Sequence, residues 1–161
     1  MTIKVGDKLP NATLRQITAD GAVPVTTEEY FGRSKVVLFG LPGAFTPTCH
    51  KNHLPGFLAD EAAFKAKGVG RIAMTSVNDP YVLAEWSKAT GSGGHIDFLS
   101  DGNAEFARAL GLEFDASAGG LGVRSKRYAM LVEEGVVKLL NVEESPGKAD
   151  LSSAAHLLKQ M

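Results

Sequence analysis

Cys49 is the single thiol of the chain and closes the segment Pro42-Gly43-Ala44-Phe45-Thr46-Pro47-Thr48-Cys49, directly after the apolar run Val36-Val37-Leu38-Phe39-Gly40-Leu41. Thr46 suits an N-cap and Pro47 the first helical position, so Cys49 is expected in the first turn of a helix. The unpaired backbone N–H groups and the positive end of the helix dipole favour a sulfur anion there, which makes a cysteine so placed a candidate nucleophile. His53, four residues on, shares the helix face of Cys49, so the pair has the spacing of two zinc ligands or of a Cys–His dyad. His50 points about 100° away around the helix. A structural zinc takes four protein ligands and only His95 and His156 remain as further histidines, so no metal is expected. Local hydrogen bonding that supports the pocket is the expected role of His53.

The elements that must position this thiol follow from periodicity and punctuation. Thr26-Thr27-Glu28-Glu29 has capping-box spacing and starts a short helix ending near Gly32, after which a buried strand runs from about Lys35 to Leu41. The helix after Thr46 is expected to reach Ala66 with a stripe of Leu54, Phe57, Leu58 and Phe64, kinked at Pro55 because proline cannot donate to the Lys51 carbonyl. Gly70–Val77 reads as a strand, Asp79-Pro80 starts a helix bearing Val82, Leu83 and Trp86, and Ile96–Leu99 reads as a short strand. Asp101 caps a helix with Phe106, Ala107 and Leu110 that Gly111 ends. Ala116–Gly122 reads as a flexible connection, without the strand-to-helix context of a phosphate loop. Tyr128–Val132 and Val136–Val142 flank Glu133-Glu134-Gly135 as a hairpin, and Leu151, Ala154, Ala155 and Leu158 stripe a last helix. Strands alternating with helices and ending in an antiparallel hairpin predict an α/β protein, with a mixed central sheet flanked by helices on both faces. That connectivity is a thioredoxin-like fold with insertions.

A length of 161 residues suits one domain, residues 1–161, able to bury a core without disulfides or metals. Composition is ordinary, at 44% hydrophobic and 22% charged with a formal net charge of −1, which argues against nucleic acid or an anionic membrane as partner. The N-terminus lacks a signal-peptide or transit pattern, and one cysteine fits a reducing compartment, so the expectation is cytoplasmic. No dithiol mechanism within the chain is open to it.

With these residues in place, Pro42-x-x-x-Thr46-x-x-Cys49 resembles the active-site signature of peroxiredoxins, thiol peroxidases of thioredoxin-like fold. The longer string from Phe39 to Cys49 is similar to the type II, peroxiredoxin-five-like branch. The likeness continues through His53-Leu54-Pro55-Gly56-Phe57, Ser76-Val77-Asn78-Asp79, Lys126-Arg127-Tyr128 and Asn141-Val142-Glu143. It implies Cys49 as the peroxidatic cysteine, Thr46 as the hydroxyl that orients peroxide, Arg127 as the activating guanidinium and Pro42 as the ring that shields the thiolate. The chemistry agrees, since in-line displacement at oxygen needs a thiolate, donors that hold the peroxide and stabilisation of the departing oxygen. Read singly, Arg124 and Arg127 are surface charges and Pro42 is turn chemistry. Trp86 and the phenylalanines read as core, with Phe45 and Phe114 as candidates to line an apolar pocket entrance.

Many relatives in this branch carry a resolving cysteine toward the C-terminus, where this chain reads Ser145-Pro146-Gly147-Lys148-Ala149-Asp150-Leu151-Ser152-Ser153. The resemblance therefore implies a one-cysteine peroxiredoxin that needs no cofactor and takes its second sulfur from outside. Glutathione with glutaredoxin is the preferred donor, thioredoxin the second, and the family implies a homodimer formed near the active-site face. A thioredoxin-type disulfide reductase is closed by the absence of C-x-x-C. An acyl-transfer hydrolase built on Cys49 and His53 has no evident orienting acid, and a non-enzymatic redox sensor or holdase would use Cys49 as a switch.

Overall fold

The computed structural model describes residues 1–161. Its strands and helices run β1 (Thr13–Thr18), β2 (Gly21–Thr26), α1 (Thr27–Phe31), β3 (Lys35–Gly40), α2 (Leu54–Ala59), α3 (Glu61–Ala66), β4 (Arg71–Ser76), α4 (Pro80–Thr90) and β5 (Asp97–Ser100). They continue as α5 (Glu105–Leu110), β6 (Glu113–Asp115), β7 (Val123–Ser125), β8 (Tyr128–Glu133), β9 (Val136–Val142) and α6 (Ala154–Gln160). Seven strands form one mixed sheet in the order β2-β1-β5-β4-β3-β8-β9. β3, β4 and β5 are parallel, whereas β8 lies antiparallel to β3 and β1 antiparallel to β5. This is the thioredoxin-like arrangement expected.

Strand β3 is buried on both faces, and the alternation of its side chains divides the core. Val37 and Phe39, with Leu41 just beyond the strand, point to the side covered by α2, α3, α4 and α6, where Leu54, Phe57, Phe64, Trp86 and Leu157 pack. Val36 and Leu38 point to the other side, against Tyr30 and Phe31 of α1 and Phe106 and Leu110 of α5. Phe39 stacks on Phe57 with ring centroids 4.1 Å apart, and Phe57 stacks in turn on Phe64. Each buried ring of this kind contributes about 2–3 kcal/mol of apolar transfer, so the sheet and the segment after Cys49 are held together from the inside.

The register of β8 on β3 sets the position of the site. Gly40 pairs with Tyr128, so the chain entering β8 passes beside the chain leaving β3. A Cβ on Gly40 would meet the Tyr128 ring at 2.2 Å, and glycine is what lets that ring lie over the strand. β9 pairs with β8 so that Val142 faces Tyr128. Three chain segments, after Gly40, before Tyr128 and after Val142, therefore meet at one edge of the sheet.

The capping expectations hold at Thr26, which accepts from the Glu29 N–H, and at Asp79, which accepts from the Val82 N–H. Asp101 accepts from Phe106 and Ala107 N–H at the start of α5, and Gly111 ends that helix at φ +71°. Three expectations are corrected and one element is added. The β1–β2 hairpin carries little sequence signal, because β2 has no buried residue and holds Pro24, which only an edge strand tolerates, while β1 buries Leu14 alone. The continuous helix to Ala66 is instead a π-turn over Cys49–His53, then α2, then a break at Asp60 before α3. The connection 116–122 is framed by the β6–β7 ribbon and contains a short 3₁₀ turn over Ser117–Gly119. In the last helix, Ala154 and Leu157 are buried while Ala155 and Leu151 are exposed, since Leu151 precedes the helix and shifts the stripe.

Candidate active site

The loop after β3 is fixed by its backbone. Leu41 N–H donates to Thr75 O at 3.2 Å, and Ala44 N–H donates to Asn78 Oδ1 at 3.0 Å. Asn78 is itself held by the Ser76 hydroxyl at 2.9 Å, so the turn between β4 and α4 sets the height of this loop. Phe45 takes φ +63°, a left-handed conformation that a bulky residue adopts only when its surroundings impose it. Its half-exposed ring stacks on His50 at 5.8 Å, and His50 Nδ1 accepts from Trp86 Nε1–H at 2.9 Å. Phe45 is thus half-exposed on the loop that leads to Cys49, whereas Phe114 lies half-buried in the β6–β7 ribbon opposite Arg124.

Thr46 does not cap the helix with its side chain. Its hydroxyl donates to Gly43 O at 2.7 Å, while its carbonyl accepts from His50 N–H at 2.9 Å. That bond orients the hydroxyl oxygen and leaves its lone pairs uncommitted. Gly43 is close to Arg124, whose Nη1 a Cβ there would meet at 2.8 Å and whose Nη1 donates to Pro42 O at 3.2 Å. Arg124 therefore braces the loop through the Pro42 carbonyl. Pro42 is buried.

Cys49 opens the π-turn, in which Leu54 N–H reaches back five residues to Cys49 O. Pro55 has no N–H to offer Lys51, and the wider turn accommodates that loss upstream of the proline instead of kinking the helix at it. The Cys49 side chain has no exposed surface. Arg127, only 2% exposed, donates from Nη2 to Cys49 Sγ at 3.1 Å. Nη1 meets His53 Nδ1 at 3.1 Å, while Nε and Nη2 both donate to Pro146 O, at 3.1 and 2.9 Å. No carboxylate forms an ion pair with this guanidinium. A buried cation surrounded by a carbonyl, an imidazole and a sulfur has only the sulfur to offer it a counter-charge.

His53 Nε2 lies 2.9 Å from Ser152 O. That carbonyl only accepts and Arg127 only donates, so the ring carries its proton on Nε2 and presents the Nδ1 lone pair to Arg127. Burial, and then the adjacent Arg127 charge, push the His53 pKa down to about 3, which keeps the ring neutral. Both ring nitrogens are committed away from the thiol, so the Cys–His dyad entertained from spacing does not form. Ser152 is held by Glu143, whose Oε2 accepts from Ser152 N–H and Oγ–H, both at 2.7 Å. Glu143 N–H donates to Arg127 O at 2.9 Å.

The structure thus brings Arg127 into contact with both Cys49 and His53 and places Pro42 and Thr46 on the loop that leads to Cys49. Sequence reasoning missed Asn78, Glu143, Ser152 and the Pro146 carbonyl as supports. Asn78 and Glu143 stand inside conspicuous strings, Ser76-Val77-Asn78-Asp79 and Asn141-Val142-Glu143, whereas a backbone carbonyl leaves no signal in residue types.

A parallel three-strand core with antiparallel flanks, carrying one buried thiol beyond the end of its first strand, β3, defines a thioredoxin-fold protein built for single-thiol chemistry. A family profile described as Redoxin matches residues 4–158. Peroxiredoxin-2E-2, chloroplastic, of Oryza sativa subsp. japonica is 52% identical over 99% of this chain and 73% of its own. Peroxiredoxin-2E, chloroplastic, of Arabidopsis thaliana is 44% identical over 99% of this chain and 70% of its own. The crystal structure of reduced Prx3 from Vibrio vulnificus in complex with hydrogen peroxide is 48% identical, covers 99% of both chains and superposes with a TM-score of 0.94. The chain belongs to the Redoxin family, as a peroxiredoxin of the type II, five-like branch with one cysteine. Its activity is that of an antioxidant thiol peroxidase.

Proposed function

We propose that Cys49 is the peroxidatic nucleophile, that the Thr46 hydroxyl oxygen orients the peroxide by accepting from its O–H, that Arg127 holds the peroxide and stabilises the departing oxygen, and that Pro42 shields the thiolate. The observation that carries this reading is the 3.1 Å contact between Arg127 Nη2 and Cys49 Sγ within a buried site. The thiolate attacks one oxygen of hydrogen peroxide or an alkyl hydroperoxide, the O–O bond breaks, and water or an alcohol leaves after taking a proton. Cys49 is left as a sulfenic acid. An external thiol attacks that sulfur, expelling water and forming a mixed disulfide, and a second thiol frees Cys49 as the donor becomes oxidised.

The donor in this reading is glutathione with glutaredoxin, thioredoxin being second, because no second cysteine is present to present an intramolecular disulfide to thioredoxin. A homodimer joined near the site belongs to the same proposal, supported by the exposed Phe45, Tyr81 and Val82 around the loop that Asn78 ties down. So does a cytoplasmic location, which fractionation of expressing cells tests against the organellar names of the plant relatives. The central test is Cys49→Ser, a near-isosteric change. It is expected to abolish peroxide consumption with every donor while leaving the circular dichroism spectrum and the unfolding midpoint close to wild type; retained rapid consumption overturns the assignment.

A further inference from the structure

We propose that Glu143 is a positioning residue for the peroxide site, acting through Ser152 and His53 to fix the Arg127 guanidinium over Cys49. The proposal rests on the reading of Arg127 given above. Glu143 is a carboxylate only 7% exposed, and it forms no ion pair. Both of its side-chain hydrogen bonds go to one residue, Ser152, nine positions along the chain. A buried carboxylate is costly to desolvate, and this one spends its acceptors on closing a loop.

That loop supplies one of the two supports of the guanidinium other than the thiol, the Pro146 carbonyl, and holds the other, His53, in place. Near its start the Pro146 carbonyl receives Nε and Nη2 of Arg127, and at its end the Ser152 carbonyl receives His53 Nε2–H. Fixing Ser152 aims its carbonyl at His53 Nε2, which together with the Arg127 donor keeps the proton on that nitrogen and the Nδ1 lone pair toward Arg127 Nη1. Without the carboxylate, Ser152 has no acceptor for its N–H or its hydroxyl, the residue that carries the carbonyl is free to turn, and Arg127 alone is left to impose the tautomer of His53. Glu143 also bonds Arg127 from the other side, through its backbone N–H to Arg127 O, so it holds the arginine main chain and the far end of its side-chain network at once.

The test combines stopped-flow peroxide reduction with long-range proton–nitrogen NMR on ¹⁵N-histidine-labelled protein, which reports the tautomer of each ring. The wild-type His53 ring is expected as a single Nε2–H tautomer; an Nδ1–H ring overturns the proposal outright. Glu143→Leu is expected to slow peroxide reduction by about tenfold or more, the scale seen when an outer partner of a site residue is lost, and to mix the His53 tautomers. Glu143→Gln keeps an oxygen acceptor for both Ser152 donors and is expected to recover most of that loss, with the single tautomer restored. Should Glu143→Leu not fold, Ser152→Ala removes one of the two bonds and is expected to shift rate and tautomer in the same direction by a few-fold. A wild-type rate in the truncated variant, a slowed rate with an unchanged tautomer, or a Gln variant as slow as Leu each overturns the relay. If Arg127→Lys leaves peroxide reduction unaffected, the role given to Arg127 fails instead, and the tautomer readout still decides whether the relay exists.

Discussion

Arg127 Nη2 stands 3.1 Å from Cys49 Sγ although the two residues are 78 positions apart. The contact exists because β8 starts, antiparallel, beside the end of β3, with Tyr128 paired to Gly40. A strand register therefore carries the electrostatics of the thiol, and several outcomes follow from it.

Thr46→Val keeps the shape of the side chain without its hydroxyl, and Arg127→Lys keeps the charge without the planar fork that reaches Cys49, His53 and Pro146 together. Each is expected to slow peroxide reduction on the order of a hundredfold to a thousandfold, Arg127 as a donor aimed at a developing oxyanion and Thr46 as the hydroxyl oxygen that accepts from the peroxide O–H. Alkylation of Cys49 by iodoacetamide, which has no peroxide to orient, should fall far less. Equal falls in the two reactions would show that these residues govern thiol access alone.

With one cysteine, donor-free protein is expected to consume one equivalent of peroxide and stop. Mass spectrometry should find one added oxygen on Cys49, replaced by a mixed disulfide when glutathione is supplied. Sustained turnover in the absence of thiol contradicts this scheme.

His53 gives the fold a defined acid sensitivity. Its pKa is lowered from about 6.5 in the unfolded chain to about 3 in the folded protein, so between these values the unfolded state binds the extra proton. Stability is thus at full strength above pH 6.5 and is lost as pH falls toward 3, with a slope approaching about 1.4 kcal/mol per pH unit from this group. Urea unfolding from pH 7 to pH 4.5 should show a shallower loss for His53→Gln than for wild type; parallel curves would refute it.

Gly40→Ala places a methyl 2.2 Å from the Tyr128 ring, which is buried and cannot swing aside. Overpacking of this kind costs about 1–3 kcal/mol, and here it also spreads the β3–β8 register that positions Arg127. A lower unfolding midpoint together with slower peroxide reduction is expected. An unchanged midpoint would mean that the two strands separate freely at this point.

How much of this was legible beforehand depended on the range of the interaction. Strand β3, the helix starts at Thr26 and Asp79 and the stop at Gly111 were readable because each is decided by a few adjacent residues. The β1–β2 hairpin was not, since β1 buries Leu14 alone, β2 buries nothing, and Pro24 reads as a strand breaker until its place at the sheet edge is known. The π-turn at Cys49 was foreseen only as a defect at Pro55, because the sequence shows that a hydrogen bond is missing but not which neighbouring turn widens to absorb it.

The reactive group and its immediate frame follow from adjacent residues alone: a lone thiol behind Thr46 and Pro47, at the start of a helix that follows a buried strand. These are covalent neighbours, and their relation survives in any packing. Only the tertiary structure decided what surrounds the sulfur. Spacing alone paired Cys49 with His53, whereas burial and the Arg127 charge made that ring a neutral acceptor for arginine. The Thr46 side chain turned from the helix to Gly43 O, and a carboxylate at Glu143 became a clasp on Ser152. Desolvation and hydrogen-bond partnership are properties of the assembled interior, where residues far apart in the chain share one low-dielectric space, and no local pattern encodes them.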